Sequence, residues 1–507
     1  MKAGLVALSL ANLCFITPWF SLLYDADLGY FNKLPVTRAA LLALLANLSG
    51  FAFLAWLIMR ALHRFRNRWL HLTCHLGFLS LLLLPADFCR RTVFHVPDYQ
   101  VVAFFRHSLV MLALAALLAC AVWKRRLTAR VAATVVGILS PLALFVIAKT
   151  ILLLLGVQHL AQHQSEPSLP ALVPVVEGRP RVVWIIFDET DQRLAFEQRP
   201  AKVQLPEFDR LRGLSLCATN AYSPADNTLP SMPGLILGRP VSQISIRSAS
   251  DLTLTFADTG KLASWRETPS IFAAARDMGV NTALVGWAHP YARVLEHDLN
   301  FCEWYPIPAF EPARAPGFGS SMRAQIGCLA GALHIRELYA NLCRASLAES
   351  LSVVTNASYG LVLLHLPPPH KPGIYNPDTD QFTIYGTSKV TGYFNNLILA
   401  DRSLGKLRRA MEGSGEWDKS WLILSADHSW RESRLYDGRR DLRVPFLLKA
   451  PGGTKPMTYS PGINTVLTHD LILAILRGEI SDLENAAAWL DAHRPAQPAI
   501  PKEEEHK

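Results

Sequence analysis

Four apolar runs in this sequence are each followed by carboxylates or imidazoles. Arg181–Phe187 leads into Asp188-Glu189-Thr190, and Thr282–Trp287 into Ala288-His289. Tyr359–Leu364 leads into His365 and then His370, and Trp421–Ala426 into Asp427-His428. Taken singly, each polar group is an ordinary loop residue or helix cap. Taken together they are hard-oxygen and imidazole donors, the set that binds a divalent cation.

A fifth stretch supplies a nucleophile. In Asn227-Thr228-Leu-Pro-Ser231-Met-Pro-Gly-Leu-Ile-Leu-Gly238-Arg239 the prolines suit the first turn of a helix, where amide protons are unpaired anyway. Thr228 then stands at or just before a helix N-terminus. A threonine there is commonly a cap. The same geometry offers free N–H groups and partial positive charge, which favour a bound phosphate and an alkoxide. A metal on the same oxygen would lower its pKa further. The expected metal ligands are Glu189, Asp427, His428 and the Thr228 oxygen, with Asp188 as a fifth. Imidazole among carboxylates favours zinc or manganese over calcium, which prefers oxygen alone. His289, His365 and His370 would bind nonbridging oxygens or protonate a leaving group.

These residues need a scaffold that brings strand ends together. The apolar runs are β-branched and short, and helical patterns such as Ser270–Met278 and Tyr393–Met411 lie between them. Strands alternating with helices predict an α/β domain with a largely parallel sheet covered on both faces. Ligands of such sheets bind beyond the carboxyl ends of the strands. That is where all four polar groups fall.

The remainder of the 507 residues is organised differently. Five apolar stretches, at about 3–23, 38–59, 70–86, 101–123 and 131–156, approach or exceed the roughly 20 residues a membrane helix needs. They account for a composition that is 50% hydrophobic. The net charge of +9 is concentrated between these stretches: Arg60, Arg64, Arg66, Arg68 in one loop and Lys124, Arg125, Arg126, Arg130 in another, with no acidic residue in either. Basic loops stay cytoplasmic, so the charge reports topology and speaks against a nucleic-acid partner. The expected division is a membrane domain of about five helices over 1–157, a linker over 158–180, a catalytic domain over 181–482 and a partly disordered tail over 483–507. The N-terminus is expected inside and the catalytic domain outside the cytoplasm. In an oxidising compartment Cys217, Cys302, Cys328 and Cys343 can form disulfides in any of three pairings.

The motifs resemble those of the alkaline phosphatase/sulfatase superfamily over about residues 180–480. Thr228-Leu-Pro-Ser-Met-Pro-Gly-Leu-Ile-Leu-Gly-Arg is similar to the sulfatase signature Cys-x-Pro-Ser-Arg-x-x-x-Leu-x-Gly-Arg, with threonine in place of the cysteine. Threonine is the pattern of the membrane-bound phosphoethanolamine and glycerophosphate transferases of that superfamily. Val-Val-Trp-Ile-Ile-Phe-Asp188-Glu189-Thr and Ser-Ala-Asp427-His428 look like their two metal motifs, and His365-x-x-x-x-His370-x-Pro keeps their histidine spacing. Arg443-Val-Pro-Phe-Leu-Leu-Lys-Ala-Pro-Gly resembles the strand that closes the sulfatase core.

Two departures refine what the resemblance implies. Met232 stands where sulfatases carry arginine, and Gly286-Trp-Ala-His289 replaces Gly-Lys-Trp-His, so the sulfate-binding lysine is missing. After Asp427-His428 the transferases have Gly-Glu and a further histidine. Here the chain has Ser429-Trp-Arg431-Glu, then Arg434, Arg439 and Arg440. One or more of these arginines, Arg431 first, is expected to hold the phosphate as a bidentate cation. The implied protein is a sulfatase-like enzyme of a bacterial inner membrane with a periplasmic catalytic domain. It would use a divalent metal (zinc, with manganese or calcium as alternatives) to move a phospho-headgroup from a membrane lipid to a lipid or glycan acceptor. The alternatives are a phosphoester or sulfuric ester hydrolase on the same site, and a non-catalytic assembly component.

Overall fold

Val182–Phe187 is a run of six apolar residues with no polar face, a pattern that suits a strand buried on both sides. In the computed structural model it is part of the strand Arg181–Phe187 (β1), every residue of which is buried. Residues 2–24, 29–65, 67–94, 96, 101, 104–105, 107–156, 166–452 and 455–503 are described. Arg66 of the first basic loop, the linker residues 158–165 and the last four residues of the tail lie outside them.

The catalytic sheet adds Leu216–Ala218 (β2), Thr282–Trp287 (β3), Phe301–Tyr305 (β4), Leu361–Leu366 (β5), Ser420–Ser425 (β6), Phe446–Lys449 (β7) and Met457–Tyr459 (β8). Their spatial order is β8-β2-β7-β6-β1-β5-β3-β4. The five strands from β6 to β4 are mutually parallel, and β7 alone runs against its neighbours. Alternation along β1 separates two cores. Val182, Trp184 and Ile186 face one, packed with the helices Thr228–Leu237, Ile271–Asp277 and Thr468–Leu476. Val183, Ile185 and Phe187 face the other, packed with Pro206–Arg212 and Lys389–Ser414. Covered on both faces, the sheet can expose function only at its strand ends. Helix Leu483–His493 also joins the first core, through Leu483, Ala486 and Leu490.

At the opposite end of β1, Arg181 is buried yet satisfied. Its guanidinium donates to the carbonyls of Tyr359 and Val354 and to Ser420 Oγ, each at 2.9 Å. The end of the sheet remote from the carboxylates is thereby closed by a paired cation rather than left open.

The chain forms two compact units that interleave in sequence. One comprises Met1–Ala26, Leu34–His163 and Glu311–Ile335; the other comprises Asp27–Lys33, Gln164–Phe310 and Arg336–Lys507. Among the described residues of the first unit, three helical stretches are long and apolar enough to cross a membrane: Arg38–Leu62, Arg68–Thr92 and Arg125–Leu154. Lys2–Cys14 and Ile16–Leu23, bent by 67°, add a fourth if they form one span. The stretch expected over 101–123 contains a 16-residue helix, Ser108–Trp123, short of the roughly 20 residues of a full span. Residues 102, 103 and 106 ahead of it lie outside the described ones. Also within this unit, Asn47 donates to Gln325 Oε1 at 2.9 Å, and Gln325 donates to the Ala40 carbonyl.

All eight cysteines are free thiols, so the disulfides allowed by the sequence are not formed. The sheet order explains part of this. Cys217 on β2 and Cys302 on β4 are six strand spacings apart, about 29 Å, against the few ångströms a disulfide spans. Burial raises the thiol pKa of Cys217, Cys302, Cys328 and Cys343, and that of Cys328 and Cys343 reaches about 12. At neutral pH none of them is a thiolate nucleophile.

Candidate active site and metal centre

The register of the sheet sets the first ligands. Ile186 of β1 pairs with Ser425 on one side and His365 on the other, so Asp188, His365 and Asp427 emerge together at the carboxyl edge. One ligand atom from each of these three lies within 4.8 Å of the others. All three residues are fully buried. His365 Nε2 is 3.9 Å from both Asp188 Oδ2 and Asp427 Oδ2. His428 Nε2 is 3.5 Å from Asp188 Oδ1 and from Asp427 Oδ2.

Buried polar atoms are nearly always paired, and unpaired ones carry a large desolvation cost. Here Asp188 Oδ1, Asp427 Oδ2 and His365 Nε2 have no hydrogen-bond partner. Three orphaned donor atoms pointing at one small volume, two of them carboxylate oxygens, fit a divalent cation. Without one, burial and the neighbouring Asp427 carboxylate push Asp188 well above the usual carboxylate range. Asp427 is desolvated as well, but His428 and His365 beside it hold its pKa down. Mixed carboxylate and imidazole donors suit zinc or manganese better than magnesium or calcium.

Thr228 reaches this cluster from a different element. It is the first residue of helix Thr228–Leu237, and Asn227 is the cap, its side chain accepting from Leu229 N–H at 3.1 Å. Pro230 sits in the first turn as expected. Pro233 lies inside the helix, beyond the first turn. The helix stops at Gly238, where φ is +66° and a Cβ would meet the His469 ring at 2.7 Å. Thr228 Oγ1 donates to Asp188 Oδ2 at 3.3 Å and stands 3.3 Å from His428 Nε2. Ser231, one turn on, donates to the carbonyl of Asp427 and so ties the Thr228 helix to the end of β6.

Carbonyl partners decide two tautomers. His428 Nδ1 faces the Ser429 carbonyl at 3.0 Å, so Nδ1 carries the hydrogen and Nε2 presents its lone pair toward Thr228 and the carboxylates. His289 Nε2 faces the Thr228 carbonyl at 3.4 Å, so it donates there, and its Nδ1 accepts from the Tyr30 hydroxyl at 2.9 Å. His289 therefore supports the backbone of Thr228 rather than the candidate metal cluster. Burial lowers its pKa to about 3, and those of His365 and His370 to about 4, so all three are neutral at pH 7. Tyr291 holds His365 Nδ1 at 2.9 Å. Such an outer partner fixes a ligating imidazole in place.

Glu189 and Arg431 form a separate pair. Glu189 follows Asp188 with φ +63°, in the left-handed region. Arg431 Nε donates to Glu189 Oε1 at 3.3 Å. Burial would raise the Glu189 pKa, but His370, Arg431, His428 and Lys371 bring it down to about 2. Arg431 and His370 open into a cavity of about 570 Å³ that Thr228, Trp287, Phe31 and Phe310 also line. The other arginines point elsewhere. Arg440 is buried against Asp226, and Arg434 pairs with Glu503 at the surface. The structure thus gathers Asp188, Thr228, His365, Asp427 and His428 in one cluster, and Glu189, His370 and Arg431 beside it. His289 lies behind Thr228. Sequence reasoning did not single out Ser231, Tyr291 or Tyr30. Tyr291 carried a faint signal, two residues beyond His289, and Tyr30 carried none.

The doubly covered, mostly parallel sheet carries Thr228 and a cluster of candidate metal donors at its carboxyl edge. The family model described as Sulfatase matches residues 180–477, and the chain belongs to the sulfatase family. No curated protein sequence matches the chain. Among solved structures it is similar to Ps i-CgsB (14% identity over 61% of this chain and 74% of that one, TM-score 0.43). It is also similar to the phosphonate monoester hydrolase of Agrobacterium radiobacter (14%, 59% and 74%, TM-score 0.40). A third is a protein of the alkaline phosphatase superfamily from Vibrio parahaemolyticus (15%, 59% and 66%, TM-score 0.39).

Proposed function

We propose that this chain is a membrane-bound, metal-dependent phosphotransferase that uses Thr228 to take a phospho-headgroup from a membrane lipid and pass it to an extracytoplasmic lipid or glycan hydroxyl. The observation that carries the reading is the position of Thr228 Oγ1, 3.3 Å from both Asp188 Oδ2 and His428 Nε2, at a helix N-terminus that opens into the cavity.

Asp188, Asp427, His365 and His428 would hold the divalent ion. Bound there, it would supply positive charge that favours the threonine alkoxide and offsets charge on the phosphoryl group. The protein's own groups do the rest. Asp188 Oδ2 accepts the Thr228 hydroxyl hydrogen. The freed oxygen forms a new bond to phosphorus while the donor's P–O ester bond breaks. The departing lipid hydroxyl takes up the proton, and Thr228 is left carrying the phospho-headgroup as a diester. A second hydroxyl attacks that phosphorus, its proton returns to Thr228 Oγ1, and the enzyme is regenerated. The helix favours the anion through its dipole rather than through free amides, because Asn227 caps the Leu229 N–H, Pro230 has none, and the Ser231 N–H bonds the Asn227 carbonyl. Arg431 contributes a guanidinium at the cavity wall. Arg431→Ala is expected to lower kcat/KM by about 10²–10³-fold, with little recovery in Arg431→Lys, because a point charge does not replace a planar fork. Steady-state assay of the two variants checks this.

Phosphate chemistry is favoured over sulfate by what the cavity lacks. Met232 is buried in the core, Trp287 and Ala288 line the wall, and Arg431 is the one cationic side chain on it among the described residues. A hydrolase reading shares every residue and differs only in water as acceptor; membership of the sulfatase family favours it. Intact-protein mass spectrometry after incubation with mixed membrane lipids tests the common core. A mass adduct on Thr228 is expected, and it should persist without an acceptor in a transferase and decay in a hydrolase. No adduct in wild type, or an equal one in Thr228→Ala, overturns the mechanism.

A further inference from the structure

The family match begins at residue 180, yet one wall of the cavity comes from far earlier in the chain. Residues 29–33, between the first two apolar regions of the sequence, belong to the catalytic unit and are held there at several points. Tyr30 is fully buried and donates to His289 Nδ1. Arg293, itself buried, donates to the carbonyls of Tyr30 at 3.2 Å and Asn32 at 3.0 Å. Lys33 donates to the Trp304 carbonyl at 2.7 Å and pairs with Glu303. The residue so presented is Phe31. Its ring stacks on Phe310, with centroids 4.5 Å apart and planes 19° from parallel.

Phe31 and Phe310 line the cavity together with Leu229, Ile244 and Ile307, while Thr228, Asn227, His370 and Arg431 line it with polar groups. A volume of about 570 Å³ suits a drug-sized molecule rather than a phosphoryl group alone. Apolar side chains gathered beside a nucleophile are stabilised by an apolar surface brought against them, at roughly 0.8 kcal/mol per buried methylene.

We propose that Phe31 contacts the substrate and, with Phe310, Ile244 and Ile307, receives the apolar part of the donor next to its phosphoester. The enzyme then selects a phospholipid over a water-soluble diester bearing the same headgroup. This rests on the reading of Thr228 as the nucleophile.

The test uses the full-length protein in detergent, loaded with zinc, and two phosphodiesters whose departing nitrophenol carries the alkyl chain, as the departing lipid does: methyl 4-octyl-2-nitrophenyl phosphate (the octyl ester) and methyl 4-methyl-2-nitrophenyl phosphate (the methyl ester). Wild type is expected to favour the octyl ester, and Phe31→Ala to lower the octyl-to-methyl ratio of kcat/KM by about tenfold. Phe31→Leu, which keeps apolar surface, should retain part of the preference. The ratio is internal to each preparation, so a partly unfolded sample does not alter it. Should Phe31→Ala be inactive on both esters, Phe31→Leu and Phe310→Ala decide by the same ratio. A Thr228-dependent activity whose ratio is unchanged across these variants overturns the role of Phe31 alone. Release of nitrophenol by Thr228→Ala at the wild-type rate, or by no form of the protein, defeats the reading of the site on which it rests.

Discussion

Thr228→Ala is expected to lose at least about 10⁴-fold in turnover of any phosphoester donor while folding and binding metal normally. The size follows from what is removed. A nucleophile that forms a covalent intermediate has no substitute within reach: the cysteines are free but held as thiols, and Ser231 is engaged with the Asp427 carbonyl. Thr228→Ser should recover much of the activity, since a primary hydroxyl can donate to Asp188 and Nε2 of His428 keeps its lone pair. The freedom of the smaller side chain at χ1 costs part of the alignment. Single-turnover kinetics separates the outcomes. A burst of leaving group that survives in Thr228→Ala would remove the covalent step.

Asp427→Asn is the second large effect, and it should appear first in metal content. Losing an outer partner of a ligand typically weakens metal binding by about 10–100-fold, so losing the charge of a ligand itself should exceed that range. Asparagine keeps the shape and an acceptor for the amides of His428 and Glu189, which bond Asp427 Oδ1 at 2.9 and 3.3 Å. The fold should therefore survive. Wild type is expected to gain thermal stability with added zinc, by about 2.7 kcal/mol at a free concentration 100 times Kd. Chelation should reverse that gain and expose two buried carboxylates to mutual repulsion. Metal analysis of the purified variant, with melting curves across a zinc titration, measures both. An Asp427→Asn protein that keeps wild-type metal content would place the ion elsewhere.

Much of this fold was legible because its strands are unbroken apolar runs. β1 and β3 begin and end where the hydrophobic runs do, and the polar residues just past those ends mark the functional edge. The harder distinctions were among neighbours. Asp188 and Glu189 are adjacent carboxylates, and residue type alone does not say which of them meets His365 and Asp427. His365 and His370 flank one loop, and only the pairing of β5 with β1 brings His365 to the two aspartates. Arg431, Arg434 and Arg440 were equivalent as basic residues and separate only through partners distant in sequence, Glu189, Glu503 and Asp226. Tyr30 was out of reach for the same reason: its partner is 259 residues away, and local periodicity carries no record of such a contact.

That separation has a consequence for how the protein is made. Translation at roughly 5–20 residues per second puts something like 13–50 s between the emergence of Tyr30 and of His289. The early segment must stay unpaired through that interval, and the site is complete only when the newest part of the chain closes onto one of the oldest. A fragment beginning at residue 166 would leave Arg293 without the Tyr30 and Asn32 carbonyls it grips and His289 Nδ1 without the Tyr30 hydroxyl. Part of the support for the catalytic unit thus comes from residues far ahead of its sheet in the sequence.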